Sequence, residues 1–151
     1  MTRAFVLQQL IKKKKYRRYL EIGIYKGKTF LPLDCKYKIA VEPVLKISPV
    51  YWLKWILKNP RNLQNKYFFM TSEAFFRRKG KYLTCQPEQE FIFIDGLHTV
   101  GASLKDVLNS LQYLSKDGTI VLHDCFPPNK AAATPAKSYE QASSQNIPGW
   151  T

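Results

Sequence analysis

Acidic residues are scarce in this chain: eleven Asp and Glu stand against twenty-four Lys and Arg, a formal net charge of +13 at pH 7. A surplus of that size draws anions, whether nucleic acid, an acidic membrane surface or a charged substrate, without choosing among them. Cysteine is also sparse. Cys35, Cys85 and Cys125 are an odd number, lie far apart and form no CxxC pair, so neither a zinc site nor a disulfide framework is indicated. A reducing cytoplasm is the simpler expectation. No uninterrupted apolar run reaches the length of a membrane span. The first eleven residues make a poor signal peptide, since Gln8 and Gln9 break the apolar part and the lysines follow it. The dinucleotide fingerprint G-x-G-x-x-G is missing as well, because Tyr25 stands where its second glycine would be.

What is present is enough for one globular domain. The 151 residues are 45% hydrophobic and 14% aromatic, a length and composition that can bury a core. Five short apolar runs close on an acidic or Ser/acidic cluster: Glu21, Glu42, Ser72-Glu73, Asp95 and His123-Asp124. Helical or turn-rich segments separate the runs, and alternation of strand and helix builds a parallel sheet. Ligands bind beyond the carboxyl ends of the strands in such sheets. Five of the eleven acids of a basic chain are therefore expected on one edge, which marks a site.

The expected elements follow in order. Residues 3–13 read as an amphipathic helix with Phe5, Leu7, Leu10 and Ile11 on one broad face. The basic run from Lys12 to Arg18 is either a nucleic-acid patch or a solvated loop into the first strand, and the loop is the favoured reading. Strands are expected over 19–24, 38–42, 67–71, 90–95 and 119–122. Helices are expected from Thr29, from Pro49 through Ile56, from Ser72, and from Val100 to Leu114 at helical spacing. Phe91 to Ile94 is apolar on both faces, as a central parallel strand must be. Asp117-Gly118 reads as the turn before the fifth strand. Residues 1–125 form the domain, with a helical basic start at 1–18, and 126–151 form an irregular tail without periodicity.

Three motifs carry chemistry. In Glu21-Ile22-Gly23-Ile24-Tyr25-Lys26-Gly27 an acid ends a strand and two glycines let the backbone bend and a ligand approach. An ordinary tight turn would account for it equally well. Its carboxylate repels a pyrophosphate but suits a cationic or amino-acid-like ligand. Glu42 lies about twenty residues further on, where an acid grips ribose hydroxyls in nucleotide-binding βαβ units. Asp95-Gly96-Leu97-His98 pairs with His123-Asp124-Cys125 and holds both histidines of the chain. Two carboxylates in one cleft can hold a hard divalent cation, and an imidazole is the commonest general base.

From about Tyr19 to Cys125 the chain resembles the class I S-adenosylmethionine-dependent methyltransferases, in particular the small bacterial, macrocin-type O-methyltransferases. The resemblance rests on Tyr19-Leu20-Glu21-Ile22-Gly23 with Gly27, on Val41-Glu42, on Thr71-Ser72-Glu73-Ala74-Phe75-Phe76, and on Phe93 to His98 with Asp106, followed by Asp117 to Asp124. It implies a Rossmann-like α/β sheet and methyl transfer from S-adenosylmethionine to an oxygen of a small molecule or sugar. By that resemblance Glu21, Gly23 and Gly27 hold the methionine end of the cofactor, Glu42 the ribose, and Ser72 and Glu73 border the adenine. His98 is the base and Asp95 its catalytic partner. In metal-dependent relatives, acids matching Asp95 and Asp124 bind Mg2+.

The family's sheet has seven strands and this sequence supplies five, so strands 6 and 7 are expected to be missing and the chain to be a fragment. An exposed edge on strand 5 would then invite pairing with another chain. Two other readings stay open: a basic nucleic-acid-binding module or inactive cofactor-binding remnant, and a nicotinamide-dependent oxidoreductase, which the absent middle glycine disfavours. The acceptor is not legible.

Overall fold

The structure, a computed structural model, describes residues 2–125. Its centre is a sheet of five parallel strands: β1 (Arg18–Ile22), β2 (Tyr37–Val41), β3 (Lys66–Phe68), β4 (Gln89–Ile94) and β5 (Leu114–Leu122). The spatial order is β3-β2-β1-β4-β5, so the chain builds outward from β1 in one direction and then resumes on its other side at β4. The crevice between β1 and β4 is the point at which such sheets bind ligands. Four α-helices flank the sheet: α1 (Arg3–Lys14), α2 (Pro49–Lys58), α3 (Ser72–Thr84) and α4 (Val100–Leu111). A short 3₁₀ helix spans Pro60–Gln64. The expected class is the observed one; the expected irregular tail, and with it the expectation that strands 6 and 7 are missing, lies outside the described residues.

Alternation along the central strands divides the core into two layers. Tyr19, Phe91 and Phe93 point to one face and pack with Phe30, with Leu7 and Ile11 of α1, and with Tyr51 and Trp55 of α2. Leu20, Ile22, Ile92 and Ile94 point to the other, against Phe75, Phe76 and Leu83 of α3. The central strands are buried on both faces, which is why they read as continuous apolar runs.

Four local expectations are corrected. No helix starts at Thr29: residues 28–32 form turns, because Pro32 lacks an N–H and disfavours helical geometry at Leu31. Buried Lys38 holds this segment instead, with Nζ donating to the Phe30 and Leu33 carbonyls at 2.8 Å each and to Asn62 Oδ1 at 2.7 Å. The basic run is not all loop. Lys12 to Lys14 form the last turn of α1, where cations suit the helix dipole, and Lys15 caps it in a left-handed conformation. Asp117-Gly118 lies inside β5, within an irregularity that sets Gln89 opposite Leu114 and Phe91 opposite Thr119. On α4 the buried residues are Asp106 and Ser110, whereas Val100, Leu104, Leu108 and Leu111 are exposed. The helix expected to run to Leu114 stops at Leu111, and Leu114 opens β5.

Candidate active site at the carboxyl edge of the sheet

The ladder hydrogen bonds run one residue past the strands and thereby align the site. Gly23 N–H donates to the Val41 carbonyl, Asp95 N–H to Ile22 and His123 N–H to Ile94, at 2.8–2.9 Å. A cleft of about 1450 Å³ opens above this row. Glu21, Gly23, Glu42, Ser72, Glu73, Asp95, His98 and Asp124 all border it. Gly27 is not among its lining residues: this glycine is buried, with Ile47 and Leu31 where a side chain would stand, and it shapes the turn of the loop.

The loop after β1 is bent by backbone in the left-handed region at three places, Gly23 (φ 84°), Tyr25 (φ 41°) and Gly27 (φ 67°). Tyr25 adopts a conformation usually left to glycine. Glu42 holds it there: Glu42 Oε2 accepts from Tyr25 N–H at 2.8 Å, and Oε1 accepts from Val44 N–H at 3.0 Å. Each carboxylate oxygen keeps a second lone pair for a ligand. The acid thus ties together the two loops that form this wall of the cleft.

Glu21 is buried at the floor, and Tyr19 Oη donates to its Oε2 at 2.6 Å. Burial raises its pKa from 4.5 to about 8 despite that bond. At neutral pH it is mainly a neutral acid, so its contribution to the cleft is a hydrogen-bonding group rather than the full charge expected of a carboxylate.

Thr71 Oγ accepts from Ala74 N–H and caps α3, which brings Ser72 and Glu73 to the rim at the helix start. Opposite them, buried Asp106 on α4 faces the same cleft. Burial raises its pKa, and a hydrogen bond with Ser72 opposes the rise.

The acid–histidine cluster closes the other end. Ligand atoms of Asp95, His98 and Asp124 all lie within 4.8 Å of one another. His98 Nε2 is 3.8 Å from Asp95 Oδ1 and 3.9 Å from Asp124 Oδ2, and the His98 side chain is 28% exposed. His123 Nδ1 stands 3.2 Å from Asp95 Oδ1 and 2.9 Å from Asp124 Oδ1, yet neither contact is aligned as a hydrogen bond. Burial pushes the Asp95 carboxyl upward, opposed by His123, Arg3 and His98, while Asp124 adds to the rise. Asp124 reaches the cluster through a left-handed backbone, φ 53°.

Arg3 was not foreseen. Its Nη1 donates to Asp95 Oδ2 at 2.5 Å and it borders the cleft. The two residues are ninety-two positions apart, and the helix that bears Arg3 was recognisable only by its apolar side. Asp106 was visible in a motif, but nothing in the spacing marked it as buried.

Residues 57–125 match a methyltransferase-domain family. The five-stranded parallel sheet with its flanking helices is the fold of solved O-methyltransferases. Solved structures agree in architecture. The domain resembles a putative O-methyltransferase from Klebsiella pneumoniae with a TM-score of 0.69 and 15% identity, covering 95% of this chain and 64% of that one. It resembles the O-methyltransferase TomG from Streptomyces achromogenes, solved with SAM, with a TM-score of 0.65 and 12% identity over 79% and 53% of the two chains. For an O-methyltransferase from Bacillus cereus, solved with SAH, the values are 0.62, 16%, 79% and 54%. This chain thus spans between about half and two thirds of the length of those chains. No curated protein matches the sequence.

Proposed function

We propose that the chain binds S-adenosylmethionine in the cleft at the β1/β4 crevice and transfers its methyl group to an oxygen of a small-molecule acceptor. The observation that carries this reading is the coupling of two halves in one cleft: the loop from Gly23 to Tyr25 clamped by Glu42, and the Asp95–His98–Asp124 cluster across from it. The first half has the chemistry to hold a nucleoside and an amino-acid moiety. The second has a base beside carboxylates that can orient it.

The fit to the cofactor is chemical. Glu42 has lone pairs left for the ribose hydroxyls after serving Tyr25 and Val44. Ser72 and Glu73 offer polar groups at the rim for the adenine, and Gly23 keeps the floor free of a side chain. When bound, the cofactor supplies an electrophilic methyl carbon on a sulfonium. His98 Nε2 would take the proton of the acceptor hydroxyl whose oxygen receives that methyl group. One C–O bond forms, one S–C bond breaks, and the proton resides on the imidazole. Asp95 and Asp124 stabilise the imidazolium so formed. Alignment and deprotonation are the protein's share of the rate.

Calorimetry with S-adenosylhomocysteine tests the reading. Binding to the wild type is expected, weakened by about 1–3 kcal/mol in Glu42→Ala because hydrogen-bonding partners lose their acceptor. His98→Gln should bind the same ligand with unchanged affinity and fail in turnover. No binding to the wild type, or tighter binding of a nicotinamide dinucleotide, would replace this reading by another.

A further inference from the structure

Asp95 offers two carboxylate oxygens to the cluster, and both already face cationic or imidazole groups. Oδ2 accepts from Arg3 at 2.5 Å, while Oδ1 faces His123 Nδ1 at 3.2 Å and His98 Nε2 at 3.8 Å. A hard divalent ion bound here would need Asp95 and Asp124 as its oxygen ligands at about 2.0–2.6 Å. It would then stand beside a guanidinium that already compensates one of the two negative charges. Two cations competing for one carboxylate repel each other, and at the few ångströms that would separate them here the repulsion persists although Arg3 is half exposed. The donor set therefore does not suit Mg2+ while Arg3 holds its place.

The helix that bears Arg3 is held from several directions. It opens α1, whose first turn is capped by Thr2 Oγ accepting from Phe5 N–H. Leu7 and Ile11 anchor the helix in the core. Gln8 fastens it to the loop before β2 by a reciprocal pair: Asp34 N–H donates to Gln8 Oε1 at 2.7 Å, and Gln8 Nε2 donates to the Asp34 carbonyl at 3.3 Å. The anchored helix thus places Arg3 where its guanidinium reaches the end of β4.

We infer that Arg3 serves as the resident cation of this cluster, a positioning residue that holds Asp95 toward His98 and excludes a divalent metal. The role of His98 in this inference rests on the methyl-transfer reading, whereas the exclusion of metal rests on the ion pair alone. In consequence the N-terminal helix belongs to the active site, and chemistry at His98 proceeds with a guanidinium where metal-dependent enzymes place an ion.

The test is Mn2+ binding to the full chain, followed by electron paramagnetic resonance without cofactor or acceptor. The wild type should leave the signal of free Mn2+ unchanged. Arg3→Gln should bind Mn2+ at least about tenfold more tightly, a difference of about 1.4 kcal/mol, and Arg3→Lys should behave as wild type. Adding Asp95→Asn to Arg3→Gln should abolish the gained binding. Wild-type binding as tight as that of Arg3→Gln overturns the inference, as does gained binding that survives Asp95→Asn. If Arg3→Gln fails to fold, the wild-type measurement decides alone: a bound ion lost on Asp95→Asn refutes it, and an unperturbed Mn2+ signal upholds it. S-adenosylhomocysteine calorimetry on the same samples separates the two proposals, since its failure removes the methyl-transfer reading and leaves the Mn2+ result standing.

Discussion

The carbonyl oxygen of Asp95 occupies the space that a side chain on Gly23 would need: a Cβ built there would stand 2.0 Å from it. The obstruction is backbone, so no side-chain rotation can relieve it. Gly23 also has φ 84°, in the left-handed region that favours glycine. This contact joins the ends of β1 and β4 across the switch point and fixes the separation of the loop after β1 from Asp95. Gly23→Ala should cost roughly 3 kcal/mol or more, from overpacking together with backbone strain. A urea midpoint within experimental error of wild type would show that the two loops part easily.

Much of this site could be read from residue order because parallel strands end in register. Glu21, Glu42, Asp95 and Asp124 each follow an apolar run, and a shared sheet edge brings the run ends together whatever the loops do. Glu73 reaches the same edge for a different reason: it lies in the first turn of α3, whose cap fixes it there. The spacing could not show what long-range packing decides. Arg3 meets Asp95 only because Leu7 and Ile11 seat α1 on the sheet. Lys38 reads as an ordinary polar residue at a strand start, yet it is buried and replaces a helix as the support of the 28–33 segment. The inward turn of Asp106 defeats periodicity outright, since the leucines of α4 carry the helical signal and lie outside.

Glu21 gives the fold a pH dependence of definite sign. Its carboxyl titrates at about 8 in the folded chain, because burial disfavours the charge, against 4.5 ordinarily. Between these values the folded state holds a proton that the unfolded state has released. Its contribution to stability is therefore complete below about 4.5, declines as pH rises through that window and is spent above about 8. Glu21→Gln keeps an oxygen for Tyr19 Oη and has no proton to lose. Denaturation midpoints across this range should fall less steeply with pH in Glu21→Gln than in wild type. Parallel curves would mean that Glu21 is already ionised in the folded state.

Lys38 braces the segment that follows the Gly23–Gly27 loop, of which Lys28 and Thr29 line the cleft. Its ammonium satisfies two buried carbonyls and Asn62 Oδ1, and Asn62 in turn donates to the carbonyls of Leu31 and Trp55. Burial lowers the Lys38 pKa from 10.5 to about 8, so the group is charged at neutral pH but only by a modest margin. Lys38→Met retains the stem and removes the donor. The Phe30 and Leu33 carbonyls are then buried without this partner, and each such orphan costs about 1–3 kcal/mol. A total loss of roughly 2–5 kcal/mol is expected in urea denaturation, reduced by whatever the wild type spends on desolvating the ammonium. The sign with pH is opposite to that of Glu21. The unfolded state binds the additional proton between about 8 and 10.5, so this residue's share of stability rises with pH there and Lys38→Met should remove that rise. Affinity for S-adenosylhomocysteine should fall with stability, because residues 28–33 no longer brace the loop that Glu42 clamps. A Lys38→Met protein as stable as wild type would show that the turn segment is held by Phe30 and Leu31 packing alone.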